Sequence, residues 1–450
     1  MDSNLRLRVI LPSVMACFVW LSTCSSKPAS NNTSGNGSGG SSSSSTPSSQ
    51  QEPATTASPE PPPPPPPPPQ KKSARKEPPP DETASETTSA EAPADVRPSP
   101  SHTGPGSNNP YKAARKAAPP NENYAVMRVY YATDREPTGV STPGQFYGGS
   151  REEDETLHLG ELDVSIPRDH RMGSLERPSI WKLEIREDPE KHVVLLSVMP
   201  KSEQEFYTDV SNKVASSANK DVFVFIHGFD NTFEQAAWRT AQLAYDLGFQ
   251  GAPIMYSWPS KGKLAAYAAD ESTIDWSTPH FQKFLETLAV QSHATTVHLI
   301  AHSMGNRALT RALYGIAQNH SAILPMFKHV FLAAPDIDVG VFRQLAATFP
   351  TAASHVTLYA SSRDEAIVAS ERLHQFDRVG DSRHICVVEN VDTIDASAVD
   401  TGLIGHAYFA DKRSILTDMF EVIQTGAPPE QRFGMHAAAL QQKKYWVLNP

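Results

Sequence analysis

Cysteine is scarce. Three occur in 450 residues, Cys17, Cys24 and Cys386. The first two fall in an apolar N-terminal segment, so no disulfide can form within the remaining chain. Cys386, flanked by Ile385, Val387 and Val388, reads as a small core residue. No Cys/His spacing suits a metal ion, and neither metal nor cofactor is expected. Basic excess is missing too. The chain has 40 Lys and Arg against 50 Asp and Glu, a net charge of −10, and a pI near 5.9. That gives no electrostatic footprint for nucleic acid. No internal repeat is visible.

A long apolar run is also lacking. Val9 to Cys24 is mostly apolar but only sixteen residues long, where a spanning helix needs about 20. Behind Arg6 and Arg8 it reads as a secretory signal segment. Its end, Leu21-Ser22-Thr23-Cys24, resembles a bacterial lipobox, with Thr23 larger than the usual residue before the cysteine. Cys24 is therefore the expected lipid-attachment site, on a protein held at a bacterial membrane in the cell envelope. An ordinary signal peptide or an uncleaved anchor, giving a periplasmic or secreted protein, is the alternative. Residues 25–122 have too few large apolar side chains to offset the entropy of ordering. They read as a disordered Ser/Gly/Pro-rich tether. Its nine consecutive prolines, Pro61 to Pro69, would form a rod of roughly 28 Å at ~3.1 Å per residue.

What remains is one large domain, residues 123–425, and an extension, 426–450. Its first part, 123–220, shows strand-like runs (Val126 to Thr133, Leu157 to Ile166, Ile180 to Arg186, His192 to Met199) with no long helix between them. These suggest antiparallel strands. Ser202 to Glu205 matches a capping box and opens a helix. From Asp221 to 425, strands and helices alternate. Strands are expected at Val222 to Ile226, Pro253 to Trp258, Thr296 to Ala301, Val330 to Ala334, Val356 to Tyr359 and Ile385 to Val388. Helices are expected at Thr232 to Leu247, Pro279 to Val290, Val341 to Thr348, Glu365 to Leu373 and about Asp411 to Ile423. The fold class is α/β, with a mostly parallel sheet covered by helices on both faces. The stretch from Trp258 to His280 is long for a connection and is expected to arch over the site as a cap.

Chemistry concentrates after one strand. Thr296 to Ala301 runs into Ala301-His302-Ser303-Met304-Gly305, and an amphipathic helix begins at once. Strand, sharp turn, serine, helix is the setting of a nucleophile elbow. The turn needs small residues two before and two after the serine, here Ala301 and Gly305. Ser303 is thus the candidate nucleophile. Acyl transfer also needs an oxyanion hole. Met304 would give one N–H, and Phe229 the other, from the loop after Val222 to Ile226. Gly228 lets that loop bend, and His227 reads as a loop-positioning residue. His302 cannot easily face Ser303 and reads as a buried support. The acid and then the base should follow in chain order. Asp364, after the strand at Val356 to Tyr359, is the first choice of acid, and Asp336, one strand earlier, is the rival. Each could instead be a helix N-cap. His406, in a Gly-containing loop after the last strand, is the candidate base.

The segments VFVFIHGFDNTFEQA, YSWPS, HLIAHSMGNRAL, LAAPDID, LYASSRDEA and GHAYF resemble a bacterial α/β-hydrolase family catalogued as a domain of unknown function. VYYATDREPTG and VSIPRDHRMGSLERPS resemble its N-terminal part, so the likeness runs from about Tyr124 to Ile423. It implies the α/β-hydrolase fold, with Ser303 as nucleophile and His406 as base, and it supports Asp364 as acid. It implies no substrate. The expected activity is cleavage of a carboxylic ester, small or lipid. An acyltransferase or peptidase with the same triad, or a noncatalytic envelope-binding protein, stays open, as does the oligomeric state.

Overall fold

A computed structural model describes residues 123–178, 186–399 and 413–449. The signal segment with Cys24, the tether 25–122, nearly all of the strand expected at Ile180 to Arg186, and His406 lie outside the described residues. The described residues belong to one compact unit.

The chain opens with β1 (Tyr124–Thr133), a small two-stranded sheet of β2 (Arg135–Pro137) and β3 (Tyr147–Arg151), then β4 (His158–Pro167) and β5 (Val194–Lys201). β1 pairs antiparallel with β4, and β4 with β5, as the alternating pattern implied. Next comes α1 (Glu203–Ser216), whose start is fixed by the reciprocal Ser202–Glu205 capping box. After it, β6 (Asp221–Ile226), α2 (Phe233–Asp246), β7 (Ala252–Ser257), α3 (Tyr267–Gln291), β8 (Thr296–His302) and α4 (Gly305–Asn319) alternate. Then follow β9 (Phe327–Ala333), α5 (Val339–Ala346), α6 (Phe349–Ala352), β10 (His355–Ala360), α7 (Glu365–His374), β11 (Asp392–Asp395), α8 (Arg413–Thr425) and a hairpin of β12 (Met435–Leu440) and β13 (Lys443–Leu448).

Among the described residues these strands form an eleven-stranded sheet, ordered β12-β13-β11-β10-β9-β8-β6-β7-β1-β4-β5. The pairings from β1 through β7, β6, β8, β9, β10 and β11 to β13 are parallel. Every residue of β6 is buried, because helices cover both faces of a parallel sheet. Val222, Val224 and Ile226 face a core shared with Phe206 of α1, Leu285 of α3 and Leu309 of α4. Phe223 and Phe225 face the other side, with Leu243 of α2 and Met419 of α8. From β6 the chain steps to β7 on one side, then returns to place β8 on the other. The crevice at such a reversal, outside the carboxyl ends of the strands, is where α/β sheets bind ligands.

Three expectations need correction. Ile385 to Val388 is not a strand. Cys386 is buried with the core, so the run is apolar for packing and not for pairing. The strand that extends the sheet is the four-residue β11, Asp392–Asp395, too short and polar to stand out in the sequence. The expected cap, Trp258 to His280, is mostly helix. α3 begins at Tyr267, twelve residues before the expected Pro279, and carries that proline inside it. Its first half buries Asp270, Thr273 and Ser277, polar residues that read as loop. Asp270 accepts from Ser260 Oγ at 2.6 Å and from the Lys261 N–H at 3.0 Å, which offsets part of the burial penalty, while burial still holds its carboxyl above the ordinary value. Finally, the extension 426–450 is part of the sheet, since β13 pairs with β11. No helix among the described residues is long and apolar enough to cross a membrane.

Candidate active site

Ser303 sits between β8 and α4 with φ +51°, a left-handed conformation uncommon for any residue but glycine. The surroundings hold it there. Its N–H donates to the Ala333 carbonyl at 2.9 Å. Its carbonyl accepts from Asn306 Nδ2 at 2.9 Å and from the Asp336 N–H at 3.3 Å. Backbone strain at a buried serine, 2% exposed and fixed from both sides, is the signature of a tight elbow. Ala301 is fully buried. A Cβ on Gly305 would fall 2.5 Å from the His227 carbonyl oxygen. The small residues flanking Ser303 are therefore required by the approach of the neighbouring strand.

That neighbour is β6, whose Ile226 stands opposite Ala301. The loop leaving it crosses directly over the elbow. A Cβ on Gly228 would lie 2.7 Å from Ser303 Cβ and 3.0 Å from His302 Nδ1. The Gly228 carbonyl accepts from His227 Nδ1 at 2.8 Å and from Asn231 Nδ2 at 3.3 Å. In a planar trans peptide the N–H points opposite to the C=O, so the Phe229 N–H is turned away from His227 and Asn231. Among the described residues neither the Phe229 nor the Met304 N–H meets a backbone or side-chain acceptor. Two amides beside the serine are thus without an acceptor among the described residues.

With the fold and this geometry in place, the comparisons are specific. Residues 202–424 match a family described as an alpha/beta hydrolase of unknown function (DUF900). Over these residues the chain has the α/β-hydrolase fold and resembles that family. Similar solved structures include MenH from S. aureus, 13% identical over 47% of this chain and 94% of that one, with a TM-score of 0.25. An arylesterase is 7% identical over 69% and 87%, TM-score 0.26. A variant of the esterase rPPE is 11% identical over 69% and 85%, TM-score 0.24. No curated protein matches the sequence.

In the hydrolase domain the two candidate acids have different environments. Asp364 follows β10, is fully buried, and caps α7 through Oδ1, which accepts from the Ala366 and Ile367 N–H groups at 3.1 Å each. Asp336 follows β9 and is enclosed. Oδ2 accepts from Tyr267 OH at 2.5 Å and Oδ1 from Ser370 Oγ at 2.6 Å. Arg307 Nη2 and Arg378 Nε approach at 3.5 and 3.6 Å. Burial pushes the Asp336 pKa up, but Arg307 and Arg378 outweigh it and hold the carboxyl below its ordinary value. No histidine is among these partners. Among the described residues Asp336 ties α3, α4 and α7 together and meets no imidazole. His406 lies outside the described residues.

His227 does position the loop. It is buried, stacks on Trp258 with ring centroids 5.2 Å apart, and donates from Nδ1 to Gly228. With Nδ1 protonated, Nε2 accepts from Arg135 Nη2 at 3.3 Å and from Ser257 Oγ at 3.2 Å. Burial and then the Arg135 charge push its pKa down to about 3, so it is neutral and cannot serve as the base near neutrality. His302 is buried, as expected.

Sequence reasoning missed Arg135, the first residue of β2. Its side chain is fully enclosed, and burial pushes its pKa down to about 9 against the pull of Asp134 and Asp270. Nε donates to Ser257 Oγ at 2.9 Å, Nη1 to the Gly148 and Ser260 carbonyls at 2.8 and 3.0 Å, and Nη2 to the Asn231 carbonyl at 2.8 Å. Asn231 in turn holds the Gly228 and Phe229 carbonyls. One guanidinium thus fixes the loop that carries Phe229. The available signal was a charged residue directly behind an apolar strand, in the VYYATDREPTG stretch. Only Glu371, Asp377 and His384, among the described residues, bring three metal-ligating atoms together, and none is a triad candidate.

Proposed function

We propose that the protein is a serine hydrolase that cleaves carboxylic esters through a Ser303–His406–Asp364 triad and an acyl-enzyme. The observation that carries this reading is the strained Ser303 with the Gly228–Phe229 peptide turned across it. His406 would take the Ser303 proton as Oγ adds to the ester carbonyl, and Asp364 would hold the imidazole in the required tautomer. The Phe229 and Met304 N–H groups would stabilise the oxyanion. Collapse breaks the ester C–O bond, with the His406 proton passing to the leaving alcohol. Water, deprotonated by His406, then adds to the acyl-enzyme and releases the acid. None of these steps calls for a cofactor.

The test is labelling by a fluorophosphonate probe, with Ser303→Ala and His406→Ala as controls. Stoichiometric labelling of the folded protein, lost in Ser303→Ala, supports the reading, and no labelling refutes it. A panel of esters of increasing chain length defines the acyl preference. Product analysis with water, alcohols and amines as acceptors separates hydrolysis from acyl transfer. We also propose that Cys24 carries a lipid that tethers the domain at the cell envelope. Mass analysis of the mature N-terminus checks this, and an unmodified Cys24 rules it out.

A further inference from the structure

Beyond the catalytic reading, and independent of it, the structure assigns a site for a small oxyanion of the phosphate class. It is a cavity of about 100 Å³ between α4, α5 and the segment after α7, lined by Arg307, Arg311, Arg378, Asp338, Ile337 and Val341 among others.

Arg378 carries the argument. It is only 4% exposed. Its backbone is pinned, since the flanking Val379 N–H donates to the Ile337 carbonyl at 3.0 Å and the Val339 N–H to the Asp377 carbonyl at 3.1 Å. Yet its Nε has no hydrogen-bond partner. Among the described residues its side chain makes one ionic approach, 3.6 Å from Nε to Asp336. A guanidinium carries five N–H donors, and buried polar groups are nearly always satisfied. Nε faces the Asp336 carboxylate, which leaves the Nη groups for the cavity that Arg378 lines. Arg307, by contrast, is engaged through all three of its nitrogens. It donates to the Asp336 carbonyl, to Glu271 and to Tyr267, so it adds charge to the wall and leaves the binding to Arg378. Arg311 stands at the rim, 41% exposed and paired with Asp275, where it can turn inward. A planar fork facing a pocket of this size suits a tetrahedral oxyanion.

Asp338 is the opposing feature on the wall. Its Oδ1 caps α5 by accepting from the Val341 N–H at 2.9 Å. Its charge weakens anion binding and gives a diagnostic variant. Asn caps a helix as well as Asp does, so Asp338→Asn keeps the fold and removes the repulsion.

The experiment titrates inorganic phosphate into the full chain by calorimetry and by thermal unfolding, at constant ionic strength with chloride as control. Saturable heat and a rising Tm are expected, because a ligand of the native state stabilises it. Arg378→Gln should weaken binding about tenfold or more, as loss of a charge-assisted hydrogen bond implies. Arg311→Gln, a change at an exposed position, should weaken it less, and Asp338→Asn should tighten it. Sedimentation with phosphatidic acid vesicles distinguishes a lipid headgroup from the free ion. Arg378-dependent binding to vesicles without binding of free phosphate identifies the headgroup as the source. A response to neither, or an equal response in wild type and Arg378→Gln, overturns the site. If Arg378→Gln fails to fold, the opposed shifts of Arg311→Gln and Asp338→Asn decide.

Discussion

The sharpest test of the site is a single methyl group. Gly228→Ala would place a Cβ 2.7 Å from Ser303 Cβ, 3.0 Å from His302 Nδ1 and 3.1 Å from the His302 carbonyl oxygen. Carbon atoms pack at about 3.5–4.0 Å, so the loop and the elbow must separate by about 1 Å. Neither side yields easily. Ser303 is held at φ +51° by bonds to Ala333, Asn306 and Asp336. The loop is held by His227, Asn231 and, through Asn231, Arg135. Gly228 does not have a positive φ, so the penalty is steric and not conformational. Overpacking of this kind costs about 1–3 kcal/mol of stability, which a domain of this size survives. Catalysis is more sensitive, because a displacement of about 1 Å can cost 10²-fold in rate, and losing one oxyanion donor costs about 10²–10³-fold. The expected result is a fall of about 10²-fold in kcat/KM on a short-chain nitrophenyl ester, with the far-UV spectrum kept. Gly228→Ala protein that retains activity within about threefold would refute the placement of Phe229 in the oxyanion hole, since ~1 Å of movement there cannot be silent.

The two acids separate by kinetics against stability. Asp364→Asn should lower kcat about 10⁴-fold by setting the wrong imidazole tautomer, whereas Asp336→Asn should leave kcat nearly intact but cost about 3–5 kcal/mol in urea unfolding by leaving Arg307 and Arg378 unbalanced. Arg135→Gln should reduce kcat more than it raises KM, because the buried guanidinium bonds the loop that carries Phe229; a raised KM with kcat unchanged would argue for a substrate contact instead. The pH dependence of stability follows from His329, fully buried between His298 and His355 on neighbouring strands. Burial, then His298 and His355, push its pKa down to about 3, below the unfolded value. Its contribution is therefore fully present above about pH 6.5 and lost toward pH 3, at about 1.4 kcal/mol per unit. His329→Phe should flatten the acid limb of a stability–pH curve by that slope, and an unchanged slope would mean that His329 protonates without penalty.

Much of the fold was legible because its signals are local. The apolar run of β6 from Val222 to Ile226, the capping box at Ser202 and the abrupt elbow after Ala301 each fit within a dozen residues, and each element formed where it was expected. The acid candidates were legible as positions after strands, but the sequence could not say what surrounded them. Asp336 acquires Tyr267, Arg307, Ser370 and Arg378 from four different segments, and no periodicity announces such a convergence. β11 escaped for the opposite reason. Four residues with one large apolar side chain, Ile394, carry too little pattern, while the more apolar run around Cys386 is buried by packing alone.

Arg135 ties the N-terminal strands to the loop that follows β6. The family match begins at residue 202, yet the guanidinium that fixes the loop carrying Phe229 comes from β2, and it reaches carbonyls at positions 148, 231 and 260. Its position depends on β1, whose Thr133 stands opposite Ser257 of β7 and donates from Oγ1 to the Ser257 carbonyl at 2.5 Å. Arg135 then donates to the Ser257 hydroxyl two residues further on. The register of β1 against β7 thus sets where the charge falls, and the charge sets the direction of the Gly228–Phe229 peptide. A one-residue slip in β1 would turn its side chains to the opposite face of the sheet and withdraw Arg135 from the loop. The antiparallel strands β4 and β5 extend the sheet beyond β1 and hold that register. What looks in sequence like an appended strand region is the support that positions the loop carrying Phe229.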